Sequence, residues 1–156
     1  MNDGCTIRKT IRLDSDLYRS DGAYFITICT KDRKKMLSKI HRVGDDAHIV
    51  PTAIGRLAEK YIRSIPGIDK YVIMPNHIHM IIRVADGPMW ASAPTQPIPS
   101  RIRSFKTLVT KELGESIFQR SFYDHIIRNQ ADYDDIYRYI EENPLRWELD
   151  ELYNNG

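Results

Sequence analysis

The chain has 156 residues, 42% hydrophobic and 28% charged, which predicts one compact domain over residues 1–156. No segment approaches the roughly 20 apolar residues of a membrane-spanning helix, the first residues lack a signal peptide's apolar run, and two cysteines exclude a disulfide framework, so we expect a cytoplasmic protein without a membrane partner. The net charge is only +2, so a nucleic-acid-binding surface has to be argued from local clusters of basic residues.

The first third of the sequence predicts a strand and a helix. Residues 1–20 are polar, and we expect them to be loosely held. The β-branched and aromatic residues from Ala23 to Thr30 predict a strand, and a solvated basic loop follows it. Apolar residues with helical spacing predict a helix over residues 51–65, with Pro51 in its first turn.

A long apolar segment from Lys70 to Val84 predicts a hairpin. It is interrupted by Pro75, which cannot donate a hydrogen bond within a sheet, and by Asn76, which favours a turn. We therefore expect one strand before this pair of residues and a second strand that begins at His77.

The remaining sequence predicts a loop, two helices and a strand. Residues 85–100 are rich in Pro, Ala and Ser and predict a loop or hinge, and Ser100 can cap a helix that runs to about Leu113. Residues 116–128 predict a strand, and residues 131–142 predict a last helix that ends before a proline. This order of elements predicts an α+β fold in which helices cover an antiparallel sheet.

Two histidines lie one residue apart in the second strand of the predicted hairpin. Side chains alternate across a strand, so His77 and His79 project from one face while Ile78, Met80 and Ile82 fill the other. Imidazoles whose β-carbons are roughly 6–7 Å apart can converge on one metal ion. Two partly exposed histidines without a ligand would show the same pattern, and a metal site requires a third ligand.

The last predicted helix carries three tyrosines. Tyr133 and Tyr137 share a stripe with two isoleucines and predict the face that packs on the core. Tyr139 lies off this stripe, with Asn143 one turn after it. Such a phenol could attack a phosphorus atom while the amide completes the coordination of an ion. The alternative is an amphipathic surface tyrosine and an ordinary asparagine at a helix end.

Basic residues cluster after the predicted hinge and around the following strand. They could neutralise DNA phosphates, although a solvated charged surface explains any single one of them as well. A further basic cluster, residues 31–35, follows the first strand. The candidate DNA-binding residues are Arg101, Arg103, Lys106, Lys111, Arg120 and Arg128.

Four sequence blocks resemble, in the same order, the REP-associated tyrosine transposase branch of the single-tyrosine HUH transposase family. The blocks are YVIMPNHIHMII, SFKTLVTKELG, IFQRSFYDHIIR and YIEENPLRWELD. The resemblance extends from about Tyr24 to Tyr153, and residues 85–100 match no block of the family. It implies a ferredoxin-like antiparallel sheet flanked by helices, with the HUH motif His77-Ile78-His79 on a central strand and the nucleophile on a late helix.

The resemblance also implies the chemistry. In the REP-associated branch the nucleophilic tyrosine stands four residues before the asparagine of an Asn-Pro pair, a position that Tyr139 holds here, with Tyr137 as the alternative. The implied ligands of a divalent ion, Mg²⁺ or Mn²⁺, are His77, His79 and Asn143. The implied partner is single-stranded DNA with a hairpin, such as REP-like palindromes. The implied reaction is endonucleolytic cleavage and strand transfer, or transposition, through a 5′-phosphotyrosine intermediate.

Two other classes of function fit parts of the sequence. A non-cleaving DNA-hairpin-binding protein derived from such a transposase would keep the basic helix without using the tyrosine. A small metal-dependent phosphodiesterase or oxygenase would need further ligands, for which His41, His48 and His125 are the candidates. In each case we expect a monomer or a homodimer.

Overall fold

A computed structural model describes residues 22–84 and 97–149 of the chain. The strands and helices are, in chain order, β1 (Gly22–Cys29), β2 (Ser38–Val43), β3 (Asp46–Pro51), α1 (Ala53–Ile62), β4 (Ile68–Ile73), β5 (His77–Val84), α2 (Ile98–Leu113), β6 (Tyr123–Ile127) and α3 (Gln130–Glu142). The main sheet has the order β4-β5-β1-β6 with every neighbouring pair antiparallel, and β2 pairs with β3 in a separate hairpin. The predicted α+β class and ferredoxin-like sheet order are confirmed, with β5 as a central strand.

Each face of the main sheet has its own hydrophobic core. On one face, Ile78, Met80 and Ile82 of β5 pack in a cluster with buried residues of α1 and α2. On the other face, Phe25 of β1 and Ile81 of β5 belong to a cluster that includes residues of α3. The histidines of β5 alternate with the residues of the first core, so they lie on the face that α3 covers.

The hairpin β2–β3 was not predicted, and its presence changes the start of α1. Pro51 is the last residue of β3 and not part of a helical turn. Thr52 is the N-cap of α1, and its side chain accepts a hydrogen bond of 3.1 Å from the backbone N–H of Gly55. Only Ile40 and its partner Ile49 turn apolar side chains of the hairpin toward the core, so the alternation that marks a strand is weak in this sequence.

Helix α2 begins at Ile98, earlier than the predicted cap Ser100. Pro99 is tolerated in the first turn, because the N–H that it lacks would have no partner within the helix. Gly114 ends the helix in a left-handed conformation with φ 87°.

Strand β6 is shorter than predicted, since residues 116–122 precede it in extended or turn segments with one isolated bridge between Thr30 and Phe118. The predicted loose segment 1–20 and residues 85–96 of the predicted hinge 85–100 lie outside the described residues. The hinge prediction is wrong for residues 98–100, which form the first turn of α2. Within residues 22–84 and 97–149, no helix is long and apolar enough to cross a membrane.

Candidate active site

His77 and His79 begin strand β5 on the face of the sheet that α3 covers. His77 lies opposite Cys29 of β1, and His79 lies opposite Thr27. Both histidines are almost fully buried, and their ring centroids are 4.5 Å apart. The structure therefore places the two imidazoles side by side beneath the last helix.

Each imidazole is held by a hydrogen bond at its Nδ1 atom. His77 Nδ1 lies 2.7 Å from Oδ1 of the buried Asn76, and His79 Nδ1 lies 2.8 Å from Oγ1 of the buried Thr27. An amide oxygen only accepts, so Nδ1 of His77 carries the proton, and in the neutral ring Nε2 keeps its lone pair. The Nε2 atoms of both rings are buried, and with Nδ1 engaged they are the atoms that can coordinate a metal.

Tyr139 of α3 lies against this pair of histidines. Its ring centroid is 5.3 Å from that of His79 and 6.1 Å from that of Phe25, whose ring also stacks on His79 at 5.1 Å. Tyr139 is 41% exposed, so it contacts the histidine and is also accessible to a substrate. The candidate nucleophile and the two histidines belong to the same chain.

Tyr137, the alternative nucleophile, packs on strand β4. Its hydroxyl accepts a 3.4 Å hydrogen bond from Lys70 Nζ, and the same ammonium lies 4.5 Å from the ring centroid. Tyr133 is engaged in a similar way, since its hydroxyl donates to Asp69 and the Arg83 guanidinium lies 4.8 Å from its ring centroid. The hydrogen bond to Asp69, together with burial, raises the pKa of Tyr133. The tyrosine stripe therefore docks α3 on the sheet, as its spacing predicted.

Asn143 is the C-cap residue of α3, one turn after Tyr139. Its side chain is buried, and within the described part of the chain its Oδ1 atom has no hydrogen-bond partner. Trp147, one turn further on, has its ring centroid 5.9 Å from that of His77. Asn143 thus lies between two residues that contact the histidines. A buried amide oxygen without a partner costs about 1–3 kcal/mol, which indicates a ligand at this position.

The donor set fits a divalent ion that accepts both nitrogen and oxygen ligands. Two imidazole nitrogens and one amide oxygen suit Mn²⁺ well, and Mg²⁺ less well because it prefers oxygen. Among residues 22–84 and 97–149, no group of three or more His, Cys, Asp and Glu side chains could hold a metal ion. His41, His48 and His125 therefore do not complete the site, which removes the main support for the phosphodiesterase or oxygenase hypothesis.

Two of the predicted DNA-binding residues have structural roles. Arg101 is 4% exposed, and its Nη1 donates to the carbonyl oxygens of Pro66 at 2.7 Å and Arg83 at 3.3 Å. Burial lowers the pKa of this guanidinium. Lys106 Nζ donates to three successive carbonyl oxygens, those of residues 119–121, at 2.7–3.3 Å. Both side chains connect α2 to neighbouring segments. The burial of Arg101 contradicts its assignment as a DNA ligand, whereas Lys106 is half-buried and lines the groove along α2, so its assignment stays a prediction.

The other four predicted basic residues are exposed but lie in different places. Arg103, Lys111 and Arg120 line a groove along α2. Arg128 lines another groove together with Gly22. Gly22 pairs with Val84, the residue of β5 that lies farthest from His77. The structure therefore groups three of these residues and separates Arg128 from both the group and the histidines.

Sequence reasoning missed four residues of the site: Thr27, Asn76, Phe25 and Trp147. Thr27 could have been found, since it is a polar residue in an apolar strand and an inward-facing hydroxyl needs a partner. Phe25 and Trp147 look like ordinary core residues in the sequence. The pairing of β1 with β5 brings Phe25 to His79, and the segment that follows α3 brings Trp147 to His77.

Comparison with known proteins agrees with the fold and the residue pattern. No protein-family model matches the chain. An uncharacterized protein of Haemophilus influenzae is 34% identical over 177 residues, covering 97% of this chain and 96% of that protein. The REP-associated tyrosine transposase of Escherichia coli K12 is 27% identical over 130 residues, covering 83% of this chain and 70% of that protein.

The fold also matches a solved structure of a REP-associated tyrosine transposase bound to a REP hairpin. The TM-score is 0.60 at 25% sequence identity, and the match covers 83% of this chain and 70% of that chain. The sequence relatives and the solved structure point to the same group of proteins. In sequence and in fold, the chain is similar to REP-associated tyrosine transposases.

Proposed function

We propose that this protein is a metal-dependent single-stranded DNA endonuclease and strand transferase, a transposase that cleaves near DNA hairpins through a 5′-phosphotyrosine intermediate. The observation that carries the proposal is the contact of Tyr139 with His79, whose ring centroids are 5.3 Å apart. The ring centroids of His79 and His77 are in turn 4.5 Å apart. The relation to transposases, one of which was solved with a REP hairpin, supports DNA hairpins as the partner.

Tyr139 is the nucleophile of the proposed reaction. Its hydroxyl oxygen attacks the phosphorus of a phosphodiester and forms a bond to it, while the bond from phosphorus to the 3′ oxygen breaks. The phenol proton is balanced by the proton on the new 3′-hydroxyl. The tyrosyl phosphodiester keeps the energy of the broken bond, so another DNA 3′-hydroxyl can attack it and complete strand transfer without a nucleotide cofactor.

His77, His79 and Asn143 are the residues that would hold Mg²⁺ or Mn²⁺. When bound, the ion offsets the negative charge that develops on the phosphate oxygens during attack. Asn76 and Thr27 hold the two rings, and Phe25 and Trp147 pack beside them and limit the access of water. We expect tighter binding of Mn²⁺ than of Mg²⁺, because the imidazole ligands are soft for Mg²⁺.

The test is covalent capture of DNA from a pool of labelled hairpins with randomised single-stranded flanks, in Mg²⁺ or Mn²⁺. The wild-type protein should give an adduct that survives a denaturing gel, and Tyr139→Phe should lose it while still shifting hairpin DNA in a native gel. Tyr137→Phe is the matched control, since it removes a hydroxyl two residues away that hydrogen-bonds to Lys70.

An adduct formed by Tyr139→Phe but not by Tyr137→Phe would overturn the assignment of the nucleophile. Hairpin binding without an adduct under all conditions would instead indicate a non-cleaving hairpin-binding protein derived from such a transposase.

A further inference from the structure

Two surface grooves on the described part of the molecule meet at Arg120. The first runs along α2 and is lined by Arg103, Lys111 and Arg120 among others. The second lies beside the turn that follows β1 and is lined by Lys31, Arg33 and again Arg120. These five residues form one continuous path, which we call the basic track.

Four of the five cations of the basic track are not neutralised by residues in the described ranges. Lys31, Arg103, Lys111 and Arg120 are exposed, and over the described ranges none of their side chains makes a hydrogen bond or an ion pair. Asp32 is the one carboxylate that lines either groove within the same ranges. These four exposed cations, in a chain of almost balanced charge, favour a polyanion as their ligand.

The basic track ends at the catalytic end of the sheet. Lys31 follows β1 by two residues, and the last residue of β1, Cys29, lies opposite His77. Backbone hydrogen bonds of 2.8 Å, from Lys31 N to Ile117 O and from Gln119 N to Cys29 O, join the two sides of the second groove. The second groove therefore lies at the end of the sheet where His77 begins β5.

The turn that carries Lys31 has an unusual backbone. Asp32 and Arg33 have φ angles of 55° and 51°, in the left-handed region that residues other than glycine rarely occupy. Two such residues in succession persist only where the surrounding structure imposes them, and they concentrate at functional sites. This turn places Lys31 and Arg33 in one groove with Arg120.

The lining of the grooves favours paired DNA over single-stranded DNA. Proteins that hold single strands combine a basic groove with exposed aromatic rings on which the bases stack. Phe122 is the one aromatic residue that lines either groove in the described ranges, and it is 5% exposed. A paired stem, whose bases stack on one another, offers only its backbone and needs no such ring.

From these observations we infer that the basic track binds the phosphate backbone of the paired stem of a DNA hairpin and directs the adjoining single strand to the histidines. The inference takes its partner from the proposed function, but it does not depend on cleavage. The sequence indicated residues 31–35 as a separate basic cluster, and the structure places Lys31 and Arg33 in one groove with Arg120.

The test measures binding of a labelled hairpin without flanks, by fluorescence anisotropy in EDTA over a range of salt concentrations. In Lys31→Gln/Arg120→Gln we expect about tenfold weaker binding at low salt, and a slope of log K against log salt that is shallower by about 1.8, since each duplex phosphate contact contributes about 0.9. Asp32→Asn should bind more tightly than wild type, because it removes the carboxylate of the second groove.

The matched control is Lys39→Gln/Arg42→Gln, which removes two exposed cations of β2 that line neither groove. Equal losses in the control and in the Lys31/Arg120 variant, or an unchanged salt slope, would overturn the inference. A loss seen only with an unpaired oligonucleotide of equal length would overturn it as well, since the track would then hold single strands.

If the Lys31/Arg120 variant does not fold, judged by its circular dichroism, Arg103→Gln/Lys111→Gln tests the same track from α2. The outcome is independent of the covalent chemistry. Stem binding that depends on the track but yields no adduct would refute the proposed cleavage and leave this inference standing.

Discussion

The smallest unit of the site is a histidine together with the group that holds its Nδ1 atom. His79 is held by Thr27 on the neighbouring strand, and His77 is held by Asn76, its neighbour in the chain. The carbonyl of Asn76 is itself held by the N–H and the hydroxyl of Thr30, at 3.0 and 3.1 Å. These contacts fix the orientation of both rings before any ligand binds, which lowers the cost of binding a metal.

Thr27→Val should weaken metal binding with little change of shape. Valine has nearly the size of threonine but cannot hydrogen-bond to Nδ1 of His79, so we expect roughly 10–100-fold lower affinity for Mn²⁺ by isothermal titration calorimetry. Thr27→Ser keeps the hydroxyl and should retain most of the affinity. Equal affinities of the valine variant and the wild type would show that Thr27 does not orient the ring.

Substitution of Arg101 can distinguish a structural role of this residue from a role in DNA binding. Its guanidinium donates to the carbonyl oxygens of Pro66 and Arg83, so Arg101→Met should lower the free energy of unfolding by about 1–3 kcal/mol in urea titrations. The salt dependence of hairpin binding by the folded variant should not change. A shallower slope at unchanged stability would restore Arg101 as a phosphate ligand.

For single residues, the sequence predicted the position of a side chain correctly where the local geometry of a strand or helix decides it. The alternation of a strand placed His77 and His79 on one face, and the helical wheel paired Tyr139 with Asn143. The fate of Arg101 could not be predicted in this way, because charged residues are rarely buried without partners and its acceptors are backbone carbonyls distant in the sequence. Gly67 has φ 81°, and a Cβ at this position would lie 2.0 Å from Arg83 O, so only glycine allows the Pro66–Gly67 turn to pass this close to β5.

Among the elements, α3 matters most because it carries the proposed nucleophile. Polar contacts to strand β4 help to fix its position: Tyr133 donates to Asp69, which also accepts from Arg83 at 3.3 Å, and Lys70 pairs with Glu141 at 3.0 Å. These contacts lie on the side of α3 that faces β4, and the position of Tyr139 depends on how the whole helix docks.

Asp69→Ala should therefore slow formation of the DNA adduct without weakening Mn²⁺ binding. The alanine leaves Tyr133 and Arg83 without their shared acceptor and loosens one end of α3, with a loss of about 1 kcal/mol in stability because the site is partly exposed. Single-turnover adduct rates and calorimetric titration with Mn²⁺ would measure the two effects. Loss of metal affinity in parallel with rate would mean that Asp69 supports the whole site.

The sequence predicted well those elements in which apolar residues recur at regular intervals along the chain. Helix α3 and the hairpin β4–β5 have strong apolar periodicity and clear end signals at Pro75, Asn76 and Pro144. The hairpin β2–β3 was missed because it lies apart from the main sheet and has one inward apolar pair, so tertiary contacts and not alternation decide its structure.

In the molecule as a whole, one face of the main sheet forms a hydrophobic core and the other face carries the candidate active site. Helices α1 and α2 cover one face with a hydrophobic core, while α3 covers the other face and places the Tyr139 phenol beside the histidines. Because Tyr139 lies against a histidine of its own chain, each chain contains the proposed nucleophile and the proposed ligands together.

This arrangement predicts that active sites do not form between two chains. A mixture of Tyr139→Phe and His77→Ala, each inactive by itself, should stay inactive, because neither chain can supply a nucleophile to the other's histidines. The assay is adduct formation after the two proteins are mixed and allowed to exchange. Recovery of a substantial fraction of the wild-type yield would show that α3 is exchanged between subunits.

The most direct test of the account is to identify the amino acid that becomes linked to DNA. The adduct formed in Mn²⁺ would be digested with protease and nuclease, and the modified peptide sequenced by mass spectrometry. We expect a 5′-phosphate ester on Tyr139. A nucleotide attached to Tyr137 or to any other residue would contradict the assignment of Tyr139 as the nucleophile.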